Sequence, residues 1–165
     1  NCLNSRILKN YMQFCNMEKL NFPDYLFSLK SKENKPYIFD VIRKKWLVLT
    51  PEEWVRQHCV HFLINDKNHP ASLIQVEKTI EVNQTKKRYD LIAYNKNKEV
   101  EILVECKSPR VAITQTTFDQ VAQYNFTLKS NYLMITNGIK HYYCQMDFDK
   151  KSYTFLKELP QYMKK

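Results

Sequence analysis

Glycine is almost missing from this sequence. The 165 residues contain one, Gly138. Phosphate-cradling loops of P-loop NTPases and dinucleotide-binding folds need several glycines at fixed spacing. Those routes to ATP are excluded, and no ATP site is expected. Long apolar runs are absent as well. No stretch approaches the ~20 residues of a transmembrane helix. Residues 1–16 lack the basic, apolar and small-residue succession of a signal peptide, so a cytoplasmic location is expected. Cysteine is present without a pattern: Cys2, Cys15, Cys59, Cys106 and Cys144 form no CxxC pair. This speaks against a disulfide framework and against a zinc ribbon. His58, Cys59 and His61 with His141 and Cys144 would be the one zinc alternative, ranked below packed, reduced side chains.

Basic and aromatic residues are abundant. Lys and Arg outnumber Asp and Glu by 26 to 17, for a net charge of +9, and 44% of residues are hydrophobic. The apolar content fills a core and excludes wholesale disorder. The length suits one domain, placed here at residues 17–165. Met17-Glu18-Lys19-Leu20-Asn21-Phe22-Pro23 reads as a natural start, so residues 1–16 are expected to be a leader or an artificially added segment. The charge suggests a polyanionic partner, most simply nucleic acid; its bland counterpart is a genome bias toward Lys and Asn.

Alternation at Tyr25, Phe27 and Leu29, then a polar turn from Lys30 to Pro36, then Tyr37, Ile38, Phe39 and Val41, predicts an N-terminal hairpin. Trp46 to Leu49 reads as another strand. Thr50-Pro51-Glu52-Glu53 predicts a helix start with Thr50 as cap and Glu53 closing a capping box. That helix is expected to run to about Asn65, with Trp54, Val55, His58, Cys59, Phe62 and Leu63 on one face. Three strands follow, from Leu73 to Val82, Arg88 to Tyr94 and Val100 to Val104, as a meander. A second helix is expected from Thr114 to Leu128. Strands from Tyr132 to Thr136, Ile139 to Met146 and Ser152 to Leu156 complete the chain, with Asn137-Gly138 as a type I′ turn. The order implies an α/β sandwich around a mixed sheet.

Within the meander the start of the second strand lies beside the end of the third. Asp90 and Glu105 therefore converge at one sheet edge, and alternation puts Glu105 and Lys107 on the same face. Two carboxylates and a lysine in that arrangement suit metal-dependent phosphodiester hydrolysis. The carboxylates would hold a hard cation, most simply Mg²⁺ with Mn²⁺ as substitute. The lysine would position water or stabilise developing charge. A plain Glu105–Lys107 ion pair is the competing structural explanation. Cys106, between them, is expected in the core. Arg56, Lys86, Lys87, Arg88 and Arg110 flank the site, either as phosphate contacts or as solvated charges.

Asp90 with Glu105-Cys106-Lys107 resembles the PD-(D/E)XK nuclease signature, with Tyr89 in place of the proline. Gln120-Val121-Ala122-Gln123-Tyr124 resembles the QxxxY motif of RecB-like members, and Gln120 and Tyr124 share a helix face. The αβββαβ order matches the restriction-endonuclease-like core, here with an N-terminal hairpin extension. Leu49 to His58, Lys87 to Ile92, Leu103 to Pro109 and Thr136-Asn137-Gly138 extend the likeness. The chain, from about Met17 to Tyr162, resembles the N-terminal nuclease domain of type I restriction R subunits, and more narrowly the single-domain bacterial proteins of that family. The resemblance implies a DNA nuclease with Asp90 and Glu105 as metal ligands, Lys107 as catalytic lysine, and Gln120 and Tyr124 supporting the site or contacting DNA. It also implies a further acid, Glu53 or secondarily Glu77. No motor domain is expected with it. Cleavage would be motor-free or would depend on a partner motor or specificity protein, and cutting of a duplex would favour a homodimer. The alternative is a non-catalytic DNA- or protein-binding module with a nuclease fold.

Overall fold

The computed structural model describes residues 17–82 and 85–163. The leader expected at residues 1–16 lies outside them. Among the described residues are two α-helices and nine strands, and the strands form two sheets. β1 (Leu29–Lys32), β2 (Lys35–Asp40) and β3 (Lys45–Val48) make a small antiparallel sheet. The six-stranded sheet contains β4 (Ile74–Val82), β5 (Thr85–Tyr94), β6 (Val100–Cys106), β7 (Tyr132–Thr136), β8 (His141–Asp147) and β9 (Ser152–Leu156) in sequence order. β6 and β7 are parallel and the other neighbours antiparallel. A parallel pair needs a long crossover, which helix α2 (Gln115–Leu128) supplies. The architecture is the mixed α/β sheet expected from the sequence.

Helix α1 (Pro51–His61) starts where Thr50 Oγ1 accepts from Glu53 N at 3.1 Å. Past His61 the chain continues as a π-helical turn, Phe62–Asp66. α1 packs on one face of the large sheet through Trp54, Val55, Cys59 and Val60, against Leu91, Ala93, Ile102, Val104 and Cys106. Ile38 of the small sheet joins the same cluster. α2 covers the other face through Phe118, Val121 and Ala122, against Tyr89, Ile92, Leu103 and Ile135. Full burial of each aliphatic side chain is worth about 1.5–3 kcal/mol, so both layers stabilise the sheet between them.

Four local expectations change. The first strand is Leu29–Lys32 and not the stretch from Tyr25 to Leu29. Tyr25 and Phe27 are buried beside α1, with Phe27 against Trp54 and His58, so they pack without joining a ladder. The hairpin turn is only Glu33–Asn34, both at positive φ, and the flanking lysines become strand residues. The connection after β7 is likewise longer than a two-residue turn. Thr136 pairs with His141, which leaves four loop residues, and Asn137 Oδ1 accepts from Ile139 N and Lys140 N. Gly138 is still required there: its φ is +83°, and an added Cβ would lie 2.7 Å from Leu20 Cδ2. Finally, Arg56, expected as a phosphate contact or a solvated charge, lies under the small sheet, whose Asp40 accepts from the neighbouring Gln57 Nε2. Arg56 and Gln57 are thereby buried together with the apolar face.

Candidate active site

The β5–β6 ladder places the two carboxylates. The ladder ends at the Leu91–Val104 pair, so Asp90 and Glu105 are the next residues on the two strands, and the Asp90 charge reaches the Glu105 carboxyl. Alternation sends Leu91, Val104 and Cys106 into the α1 layer. Glu105 and Lys107 turn to the α2 side, where they line a cleft of about 90 Å³ with Lys87, Tyr89, Gln120 and Tyr124. Gln120 and Tyr124, one helical turn apart, thus open onto the Glu105–Lys107 pair. Lys87 Nζ sits over the Tyr124 ring.

Lys107 Nζ donates to Glu105 Oε1 at 2.6 Å. Burial, then the charge of Asp90, push the Glu105 carboxyl above its ordinary range, and Lys107 pulls it partly back. Burial works against the Lys107 ammonium, but its hydrogen bond and ion pair with Glu105 hold its pKa above the usual lysine value. Asp90 is anchored on both oxygens. Oδ2 accepts from Cys106 N at 2.8 Å and Oδ1 from Arg56 Nη2 at 2.9 Å.

Arg56 is the centre of an ion-pair network that sequence reading left as a solvated or phosphate-binding charge. It is 4% exposed. Besides Asp90 it reaches Glu52 at 3.0 Å and pairs closely with Glu53. Glu53 also accepts from Arg43 Nη2 at 2.6 Å and Gln57 Nε2 at 2.9 Å. Its side chain is therefore committed to the network and does not close the capping box. It reaches Asp90 only through Arg56. Arg43 pairs with Glu77 as well, and Arg88 stands 3.5 Å from Glu77. Glu77 lies opposite Asp90 between two ladder pairs, at φ 52°, out of the regular strand. Asp40 ends the chain of charges. Burial opposes its charge, but donors from the Arg43 backbone and guanidinium and from Gln57 outweigh it and hold the carboxyl low. Arg43 and Asp40 were missed in the sequence. The only signal was an acid–base pair three residues apart before β3, repeated by Glu53 and Arg56.

The histidines and cysteines have other employment. Cys106 Sγ touches Cys59 Sγ at 3.8 Å inside the core, while Cys144 belongs to the opposite layer. His141 Nε2 donates to Asn21 O at 2.6 Å. His58 Nδ1 donates to Trp54 O at 2.9 Å within an aromatic cluster, and burial lowers its pKa to about 4. The unfolded histidine titrates near 6.5, so below that pH the unfolded chain binds a proton that the folded one rejects. Stability should be fully present above pH 6.5 and fall as pH drops toward 4. His58 alone would account for about 3 kcal/mol of that fall. Urea titrations across the window, with His58→Leu as comparison, check this: the variant should show a flatter decline.

Residues 51–160 match the family model of the type I restriction enzyme R protein N terminus. The chain belongs to that family. The matched segment of this R-protein N-terminal domain runs from α1 through β9, so it holds Asp90, Glu105, Lys107, Gln120 and Tyr124. It starts after the small sheet, a narrower span than the resemblance from Met17 to Tyr162. A comparison with curated proteins finds no match. Among the described residues no helix is long and apolar enough to cross a membrane.

Proposed function

We propose that this R-protein N-terminal domain is a PD-(D/E)XK nuclease that hydrolyses phosphodiester bonds in DNA by a reaction that needs no motor. The observation that carries the reading is Lys107 on Glu105 in a cleft shared with Gln120 and Tyr124, with Asp90 just past the end of the β5–β6 ladder and close enough to raise the Glu105 carboxyl. Asp90 and Glu105 offer hard carboxylate oxygens from adjacent strands. One Glu105 oxygen takes the Lys107 hydrogen bond, and no described residue donates to the other. That donor set fits Mg²⁺ or Mn²⁺. A dication held there would polarise a phosphate and acidify a water.

The protein's own groups do the rest. Lys107 brings an ammonium, kept charged by Glu105, to the cleft where negative charge grows on a phosphate. Asp90, fixed by Arg56 and the Cys106 amide, cannot rotate away from Glu105 without losing both bonds. Gln120 and Lys87 present polar donors at the cleft rim for the DNA backbone. DNA is the proposed substrate. A second copy or a partner motor or specificity protein would extend the activity to processive or duplex cutting.

The second reading, a binding module with a nuclease fold, has one observation in its favour: Arg56 and Lys107 already neutralise the two carboxylates. Calorimetry separates the two. The nuclease reading predicts saturable Mg²⁺ or Mn²⁺ binding that Glu105→Gln abolishes. Metal binding absent from the wild-type protein would favour the module.

A further inference from the structure

The small sheet lies outside the family match and plays no part in the site chemistry. Its register sorts its side chains into two faces. Leu29, Ile38 and Leu47 share one, and Ile38 is buried in the core. Lys30 pairs with Tyr37, Lys32 with Lys35, Tyr37 with Val48 and Phe39 with Trp46, so these share the other. That outer face carries an aromatic row with lysines at its edge. The Phe39 and Trp46 rings are 5.4 Å apart, and Lys30 Nζ lies 4.2 Å from the Trp46 centroid and 6.0 Å from that of Tyr37. Trp46 is 37% and Val48 45% exposed, so this face presents apolar surface to solvent. Lys32, Lys35, Lys44 and Lys45 are exposed around it. Only two acids lie between Leu29 and Val48. Asp40 is buried, and Glu33 is paired with Lys32.

We infer that the outer face of this three-stranded sheet binds single-stranded nucleic acid, with a base stacked on Trp46 and the backbone along the lysines. Flat aromatic surface bordered by positive charge is the combination that single strands use, because every unpaired base offers a π-face and every nucleotide a phosphate. A paired duplex hides its base faces and has no use for the ring. The inference is independent of cleavage: it needs neither metal nor Glu105. The rigid tie of Asp40 and Arg43 to Glu53 holds the platform fixed relative to the proposed nuclease cleft.

The test uses the protein's own fluorophores. Of its two tryptophans, Trp54 is 2% exposed and shielded, so quenching by a ligand reports Trp46. Titration with oligothymidylate in EDTA should quench the emission saturably, and more salt should weaken binding. Anisotropy of a labelled oligonucleotide should show Trp46→Leu binding about tenfold more weakly, as expected for loss of one stacked base. Trp46→Tyr should restore most of the affinity, and Lys35→Glu should weaken binding and reduce its salt dependence. Circular dichroism unchanged from wild type certifies each variant's fold. Unquenched fluorescence with equal affinity for Trp46→Leu would overturn the inference. So would a duplex of the same length binding as tightly as the single strand, or self-association abolished by Trp46→Leu. EDTA removes cleavage from the measurement, so a failure of the nuclease reading would leave this result interpretable.

Discussion

Arg56→Met should destabilise the domain by about 3–5 kcal/mol, the cost of leaving buried carboxylates without their cation. Met fills much of the aliphatic volume, so the loss is electrostatic and not a cavity effect. Glu53 would keep Arg43 and Gln57, but Asp90 would retain only the Cys106 amide. Arg56→Lys should recover little, since one ammonium cannot span Glu52, Glu53 and Asp90 as the two terminal nitrogens of a guanidinium do. Urea denaturation measures the loss. A double variant, Arg56→Met with Glu53→Gln, should be closer to wild type than the single one, because it removes one of the stranded charges. An Arg56→Met protein as stable as wild type would show that solvent screens the network and that its closeness carries no energy.

Lys107→Ala should lower metal-dependent DNA cleavage by about a hundredfold or more, the scale of one lost charge-stabilising group in a catalytic centre. The fold should survive, because the Lys107 side chain is one-third exposed. A more specific consequence concerns pH. Burial and Asp90 already raise the Glu105 carboxyl, and Lys107 is what lowers it. Without the lysine the carboxyl is raised further, so residual activity should need a higher pH before Glu105 ionises. The acid limb of the pH–rate profile should move upward in Lys107→Ala. A merely structural ion pair predicts no such displacement.

Much of this arrangement was legible in the sequence, for local reasons. The meander order and strand alternation are sufficient to bring Asp90 beside Glu105, to aim Lys107 the same way and to bury Cys106 between them. A spacing of four on a helix is sufficient to put Gln120 and Tyr124 on one face. What escaped depends on contacts distant in the chain. Arg56 looks like a helix-surface cation until Asp90, 34 residues on, and the small sheet close over it. Glu53 fits a capping box in one dimension, but Arg43 reaches it first. The polar run from Lys30 to Pro36 reads as a loop because its lysines disguise strand residues; only pairing with β2 shows that the turn is two residues long.

The most direct measurement is cleavage of plasmid and single-stranded DNA in Mg²⁺ and Mn²⁺, with wild-type protein beside Lys107→Ala. The account predicts metal-dependent cutting by the wild type, removed by EDTA and lost in the variant. Equal cutting by both proteins would contradict the role of Lys107 and of the Asp90–Glu105 site it serves. Absence of cutting by the wild type on either substrate would contradict a motor-free nuclease.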